Sequence, residues 1–444
     1  MQLEDEAGYI VTTAVTRQTR RRQPSARWIA AVLASLSLLA IWGIAVKNPY
    51  MDADSVHYQA MADGKAAMKP FAFRALEPAM ARLFAKVTGK STKTGFLVVG
   101  LLSLWVLLFG VLLPVLEWRR NVWLAAVLIL MPFWLLNFID YFLPDLMHAA
   151  LCMVYLSLLR TRRWGLAAAM LPVMFLARES TLLIVVIAVP TLWWLAGRRA
   201  GLLQLSGTLA GMLVSKFVAR HALPNQHNIN DTLYMIGKIP WNAAKNLFGV
   251  NLWTNTLQTH PPVRVWNLPH WLPLGGIHQV GYSGFSWDYL LLTSIWLMTA
   301  FGLGSLVALC LAWRTPLRNL LPFEEPHLCV AAIYGAVTFL MTPMLGAALP
   351  RLFAYGWPLF LVYLPAMMPR LWRDWPVWTV SFLVGLHLIA AWTDSIRLRY
   401  FPFYFRSELT VLFACNLVAL WLICRTLAGE GKRSVSALRP IAEI

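Results

Sequence analysis

Two carboxylates, Asp52 and Asp54, open a segment that reads Met51-Asp52-Ala53-Asp54-Ser55-Val56-His57-Tyr58 and continues to Lys69-Pro70-Phe71-Ala72-Phe73-Arg74-Ala75-Leu76-Glu77-Pro78. A carboxylate near cations stays ionised and accepts a proton from a hydroxyl, which makes either Asp a candidate general base. The competing reading of an Asp-x-Asp is a solvated turn. Eight basic residues lie between 47 and 94 (Lys47, Lys65, Lys69, Arg74, Arg82, Lys86, Lys90 and Lys93). That is more than membrane orientation requires, and Arg with Lys is what phosphate or pyrophosphate recognition uses.

A second polar set stands where charge is expensive. Asp140, Asp145, His148, Arg178, Glu179 and Arg351 lie in or beside apolar runs, near the outer ends of the expected spans. A charge at bilayer depth costs about 2.5–3.5 kcal/mol on insertion scales, so such residues face the bundle interior or a wet cavity. Arg178-Glu179 reads either as a mutually neutralising pair at a helix break or as a cavity-lining pair. Asp145 and His148 are one helical turn apart, a spacing that suits a metal, yet Asp145 after Pro144 is equally well explained as a helix start.

Other motifs carry less. Gly89-Lys90-Ser91 looks like the end of a phosphate loop, but that loop's first glycine would fall at Phe84, and the segment is expected outside, away from ATP. There is no HExxH. The five cysteines (Cys152, Cys310, Cys329, Cys415 and Cys424) lie in apolar runs without a zinc spacing and read as small core residues. Gly207-xxx-Gly211 reads as a helix-packing surface. Asn230-Asp231-Thr232 is a glycosylation sequon, relevant only in a eukaryotic secretory pathway.

The chain that must position these residues has 444 residues, 59% hydrophobic and 13% charged, with a mean hydropathy of +0.60. Soluble domains carry about 25% charged residues, so a water-soluble globule, a disordered chain and a coiled coil are excluded. The expectation is an all-α polytopic membrane protein. Lys and Arg outnumber Asp and Glu by 38 to 20, an excess that in a polytopic chain points to cytoplasmic loops and anionic phospholipid, with no nucleic acid partner. Apolar stretches of about 20 residues cross the hydrocarbon core. Spans are expected at 28–46, 95–116, 122–139, 142–159, 201–218, 289–313, 328–346, 351–368, 376–392 and 409–425. The stretch 164–196 is too long for one span and is interrupted by Arg178-Glu179-Ser180, so two helices are expected to meet there, which brings the total to about 12. The first span reads as a retained signal anchor, because Lys47-Asn48-Pro49 follows it rather than a small-residue cleavage site.

Charge placement tests the count independently. The tail carries Arg17, Arg20, Arg21, Arg22 and Arg27, and basic residues recur at Arg119/Arg120, Arg160/Arg162/Arg163, Arg198/Arg199, Arg314/Arg318 and Arg370/Arg373. Every second loop is therefore basic, which puts both termini in the cytoplasm. The expected layout is a basic cytoplasmic tail over 1–27, one transmembrane domain over 28–425 and a cytoplasmic tail over 426–444. Two long outer loops, 47–94 and 219–288, each carry an amphipathic stripe: Leu76, Met80, Leu83 and Val87 in the first, and Leu233, Ile236, Ile239, Ala243, Leu247 and Val250 in the second. Such stripes, with Trp253, Trp266, Trp271 and Trp287 after the second, suit helices lying in the membrane interface.

A short first span, an outer loop opening on an Asp motif, a Pro-Phe-x-x-Arg-x-Leu-x-Pro stretch and a broken helix in a 12-span bundle resemble the GT-C superfamily of integral-membrane glycosyltransferases. Phe142-Leu143-Pro144-Asp145, Ala177-Arg178-Glu179-Ser180 and Arg351-Leu352-Phe353-Ala354-Tyr355 followed by Pro358 add to the resemblance. It covers most of the chain in layout and singles out no subfamily. It implies transfer of a sugar from a polyprenyl-phosphate-linked donor to a glycan, lipid or protein acceptor at the outer face of the inner (plasma) membrane, with no nucleotide, cofactor or metal required. Carried over by position, the base maps to Asp54, with Asp52 second. The donor-phosphate cations map to Arg178 and Arg351, then to Arg74 or Lys69, and Glu179, Asp145, His148 and Tyr355 complete the expected substrate-binding set. Many members carry a large soluble domain after the last span; none is evident here, which leaves acceptor recognition to the 219–288 loop. The alternatives are an O-antigen-type polymerase or ligase, kept open by His221, His227, His260, His270 and His278, and a lipid or solute transporter, for which internal repeats would be expected.

Overall fold

The computed structural model describes residues 23–47, 53–65, 71–119, 122–131, 133–222, 231–255, 261–271, 277–314, 321–345, 349–367 and 406–437. Asp52, Lys69, His227, His260 and the expected span 376–392 lie outside the described residues.

The chain is predominantly helical. Five described helices are long and apolar enough to cross a membrane: α1 (Gln23–Lys47), α4 (Thr92–Arg119), α10 (Arg198–Ala222), α14 (Pro326–Leu345) and α17 (Arg406–Ala437). A sixth is added if α12 (Trp287–Thr299) and α13 (Leu303–Arg314), which meet at 92°, count as one broken span. One apolar core runs through the bundle, with Trp134, Tyr155, Tyr334, Phe301, Phe353 and Phe360 fully buried in it.

Several expected spans are shorter or broken. The stretch 122–139 forms two helices, α5 (Val122–Ile129) and α6 (Phe133–Phe138), with the Trp134 indole donating to the Leu128 carbonyl at 2.6 Å across the gap. The sequence places a proline at position 132, just ahead of α6, and a proline disfavours helical geometry at the residue before it. Helix α7 (Asp145–Arg160) starts three residues later than the expected 142 because Pro144 supplies a natural first turn. The stretch 164–196 divides into α8 (Trp164–Ala177) and α9 (Thr181–Leu195), and Arg178 between them is extended at φ −165° and ψ 138°. The stretch expected as 351–368 begins as α15 (Leu349–Phe353), tightens into a 3-10 turn over Ala354–Gly356, widens into a π-helical turn over Pro358–Tyr363 and ends as α16 (Leu364–Met367).

The segment between α1 and α4 folds into α2 (Ala53–Ala62), a 3-10 turn at Phe71–Phe73 and α3 (Leu76–Thr88). A small cluster of Tyr58, Ala62, Phe71, Ala81, Phe96, Phe142 and Leu143 fastens it to the start of α4. Gly95 allows α3 to seat there, since a Cβ at that position would lie 2.3 Å from the Ala81 carbonyl oxygen. Met80, Leu83 and Val87 on α3 remain exposed, an apolar stripe turned away from the protein. Gly207 permits an equally close contact between α8 and α10, with a Cβ there 2.4 Å from the Ala168 carbonyl oxygen.

The all-α expectation needs one correction. After α11 (Asp231–Phe248), the chain forms a three-stranded antiparallel sheet of β1 (Val250–Thr254), β2 (Arg264–Asn267) and β3 (Gln279–Phe285), in the order β1-β3-β2. All four β2 residues are exposed, so no in-out alternation marks that strand in the sequence. The Asn246 amide donates to the Pro343 carbonyl at 2.8 Å and ties α11 to α14. Among the cysteines, Cys415 departs from the core expectation: it is exposed on α17, a helix that packs on one side only.

Candidate functional site

Five separated segments bring their polar side chains to one place: α2 brings Asp54 and Tyr58, the approach to α3 brings Arg74, the first turn of α7 brings Asp145, the α8–α9 break brings Arg178 and Glu179, and α15 with its following turn brings Arg351 and Tyr355. Each position has a local cause. Asp54 sits in the first turn of α2, where a carboxylate complements the helix dipole. Tyr58 follows one turn later on the same face. Asp145 occupies the first turn of α7 for the same electrostatic reason. Arg178 leaves helical geometry, so its side chain and that of Glu179 depart toward different partners.

Asp145 is the hub. Its side chain is 4% exposed; Arg178 contacts Oδ1, Tyr355 donates its hydroxyl to Oδ1 at 2.6 Å and Arg351 donates from Nε to Oδ2 at 2.5 Å. The Arg178 guanidinium also lies over the Tyr355 ring, 4.5 Å from its centroid. Arg351 then reaches outward, donating from Nη1 to Asp54 Oδ2 at 2.9 Å, and Asp54 is 38% exposed. Beside this chain, Arg74 grips Glu179 through Nε and Nη2, one edge of its guanidinium, and donates from Nη1 to the Tyr58 hydroxyl at 2.7 Å. Burial works against the Arg74 cation, but the Glu179 hydrogen bonds outweigh it and raise the Arg74 pKa. Glu179 is 46% exposed, so it and Asp54 form the rim while Asp145, Arg178 and Arg74 form the buried floor.

Of the two readings of Arg178-Glu179, the mutually neutralising pair gives way to a crossed arrangement in which Arg178 pairs with Asp145 and Glu179 with Arg74. His148 is also reassigned. It is buried at 2% exposure and contacts the Thr181 hydroxyl at 3.0 Å through Nε2. That hydroxyl donates its one proton to the Arg178 carbonyl at 2.7 Å, so Nε2 is the donor. His148 thus supports the break from beneath and does not face the cluster's opening. Asp145 and His148 turn to different partners, and among the described residues no group of three or more His, Cys, Asp or Glu side chains forms a metal site. Of the loop histidines, His221 bonds the Phe217 carbonyl, His278 meets the Asn255 side chain and His270 is exposed.

Tyr58, Ser55 and Thr181 were not singled out in the sequence. Tyr58 had a usable signal, its spacing of four from Asp54 on a helix. Ser55 donates to Asp140 Oδ2 at 2.7 Å and fixes α2 to the segment ahead of α7.

Below that bond lies Glu77, 1% exposed, with neither carboxyl oxygen hydrogen-bonded among the described residues. Burial first, then the Asp140 charge, raises its pKa well above the usual 4.5. A carboxyl that holds its proton more tightly folded than unfolded contributes stability in full below the unfolded pKa and loses it as pH rises through the folded one. Glu77→Gln keeps the shape and removes the ionisation. The expected result is a melting temperature that falls less between pH 5 and pH 8 than that of the wild type; parallel pH profiles would contradict it.

No protein-family model, no curated protein and no solved structure matches the chain.

Proposed function

We propose that the chain is an inverting membrane glycosyltransferase that moves a sugar from a polyprenyl-phosphate-linked donor to a hydroxyl acceptor at the outer membrane face. The observation that carries this reading is the convergence of Asp54 with Arg74, Arg178 and Arg351 from segments scattered along the chain. Guanidinium groups present planar, paired donors to phosphate oxygens and stabilise a leaving group that departs as an anion. Asp54, at the rim, takes the acceptor proton.

The step balances without a cofactor. The acceptor oxygen forms a bond to the sugar's anomeric carbon as the carbon–oxygen bond to phosphate breaks, its electron pair staying on the lipid phosphate while the hydroxyl proton passes to Asp54. Glu179 and Tyr355 hold Arg74 and Arg178 in register.

The reading includes about 12 spans, with both termini inside and both long loops outside. The exposed Met80, Leu83 and Val87 stripe of α3 supports a loop lying in the interface beside the site. The sheet loop, with Trp266 and Trp271 exposed, supplies the acceptor side.

The test is mass spectrometry of lipid that co-purifies with the full chain in mild detergent. A polyprenyl phosphate or its glycosylated form is expected, enriched over the host membrane and lost in Arg351→Gln. Phospholipid alone, unchanged by that substitution, would overturn the reading.

A further inference from the structure

We propose that the site is gated by ion-pair exchange: a phosphate entering at Arg351 displaces Asp54, so the base is released only when donor is bound and the donor binds before the acceptor is activated. This inference deepens the proposed transferase reading and rests on it.

Among the described residues, the charges of the cluster already cancel. Arg74, Arg178 and Arg351 face Glu179, Asp145 and Asp54, three cations against three carboxylates. An entering phosphate makes the cluster net negative unless a carboxylate gives way, and the three are not equally held. Asp145 is 4% exposed and engaged by two arginines and Tyr355. Glu179 is gripped by the Nε and Nη2 donors of Arg74. Asp54 is held, among the described residues, by the single bond from Arg351 Nη1 and is 38% exposed. Asp54 is the carboxylate that leaves at least cost.

The same geometry keeps Arg351 in place during the exchange. Its Nε remains on Asp145 while Nη1, at the rim, turns from Asp54 to a phosphate oxygen. General-base work puts a proton on Asp54, and doing so while the carboxylate is bonded to Arg351 forfeits that ion pair. Phosphate at Arg351 removes this penalty and, by like-charge repulsion, turns Asp54 outward toward the acceptor. Without donor, the pair closes again and no base is presented to water.

The gate reverses the sign expected of a simple base residue. A residue that only accepts the acceptor proton leaves donor affinity unchanged when neutralised, whereas a carboxylate competing with phosphate for Arg351 weakens it. Binding of farnesyl phosphate to the full chain in detergent is measured by calorimetry for wild type, Asp54→Asn, Asp54→Ala and Arg351→Lys, with inorganic phosphate as a second probe and thermal melting as the folding control. Both Asp54 variants are expected to bind farnesyl phosphate about fivefold to tenfold more tightly than wild type, and Arg351→Lys more weakly. Inorganic phosphate should show the same ratio at lower affinity, placing the exchange at the head group. Wild-type binding with unchanged or weaker affinity in both Asp54 variants would overturn the gate and leave the transferase reading standing. A ratio present for farnesyl phosphate but absent for inorganic phosphate would also overturn it, because the effect would then belong to the lipid chain. No binding of farnesyl phosphate to the folded wild type would overturn the transferase reading itself.

Discussion

Replacing Asp54 with Asn should lower sugar-transfer turnover by roughly 100-fold or more, the usual contribution of a positioned general base, while the chain still folds and still holds its donor. Asn matches Asp in size, and its amide can still meet Arg351, so the α2 and α15 segments keep their contact. On the proposed reading, what is lost is the group that takes the acceptor proton. Asp52→Asn is the internal comparison, since only one of the two first-loop carboxylates serves. Asp54 is in hydrogen-bond contact with Arg351 of the cluster, and Asp52 lies outside the described residues. Donor turnover in the presence of acceptor, separated from donor binding, is the measurement. Equal turnover of Asp54→Asn and wild type would remove Asp54 from the chemistry, and loss of turnover only in Asp52→Asn would transfer the role to its neighbour.

Much of the site was legible in the sequence because ionisable residues in apolar runs are too costly to stand alone. Arg178, Glu179, Asp145 and Arg351 announced themselves by position, and all belong to one cluster. The α8–α9 break was legible for the same reason: a tripeptide of Arg, Glu and Ser inside an over-long apolar run marks where a helix stops. The pairing was not legible. Neighbours in sequence, Arg178 and Glu179, turn apart once Arg178 adopts an extended backbone, and their partners lie 33 and 105 residues away in Asp145 and Arg74. His148 showed the limit of spacing arguments. One turn from Asp145, it fitted a ligand pair, but its buried position commits it to Thr181. The sheet escaped because β2 is solvent-facing throughout and β1 meets β3 with a register shift at Asn251/Leu252, which removes the period-two pattern a strand reading needs.

Asp145→Asn should be the most destabilising single substitution in the cluster, at about 3–5 kcal/mol, because removing one member of a buried ion pair leaves its partners' charge uncompensated. Asp145 carries two arginines on a side chain that is 4% exposed. Asn preserves its shape and one acceptor oxygen but leaves Arg178 and Arg351 as adjacent cations with no countercharge on the floor. The Tyr355 hydroxyl also loses its carboxylate acceptor. Glu179→Gln is the contrast. It neutralises one carboxylate too, but it strands a single arginine, Arg74, where Asp145→Asn strands two, and the glutamine at this 46% exposed position still offers that arginine an amide oxygen, so the cost should be smaller than for Asp145→Asn. If the Asp145 effect is charge imbalance rather than lost packing, a second neutralisation should recover part of it. Asp145→Asn combined with Arg178→Gln is therefore expected to melt higher than Asp145→Asn alone, although it removes one more native contact. Thermal unfolding in one detergent, read side by side for wild type, Asp145→Asn, Arg178→Gln and the double variant, measures the coupling. A double variant that melts lower than the single one would mean that Arg178 does not depend on Asp145 for its charge balance, and the hub assignment would fall.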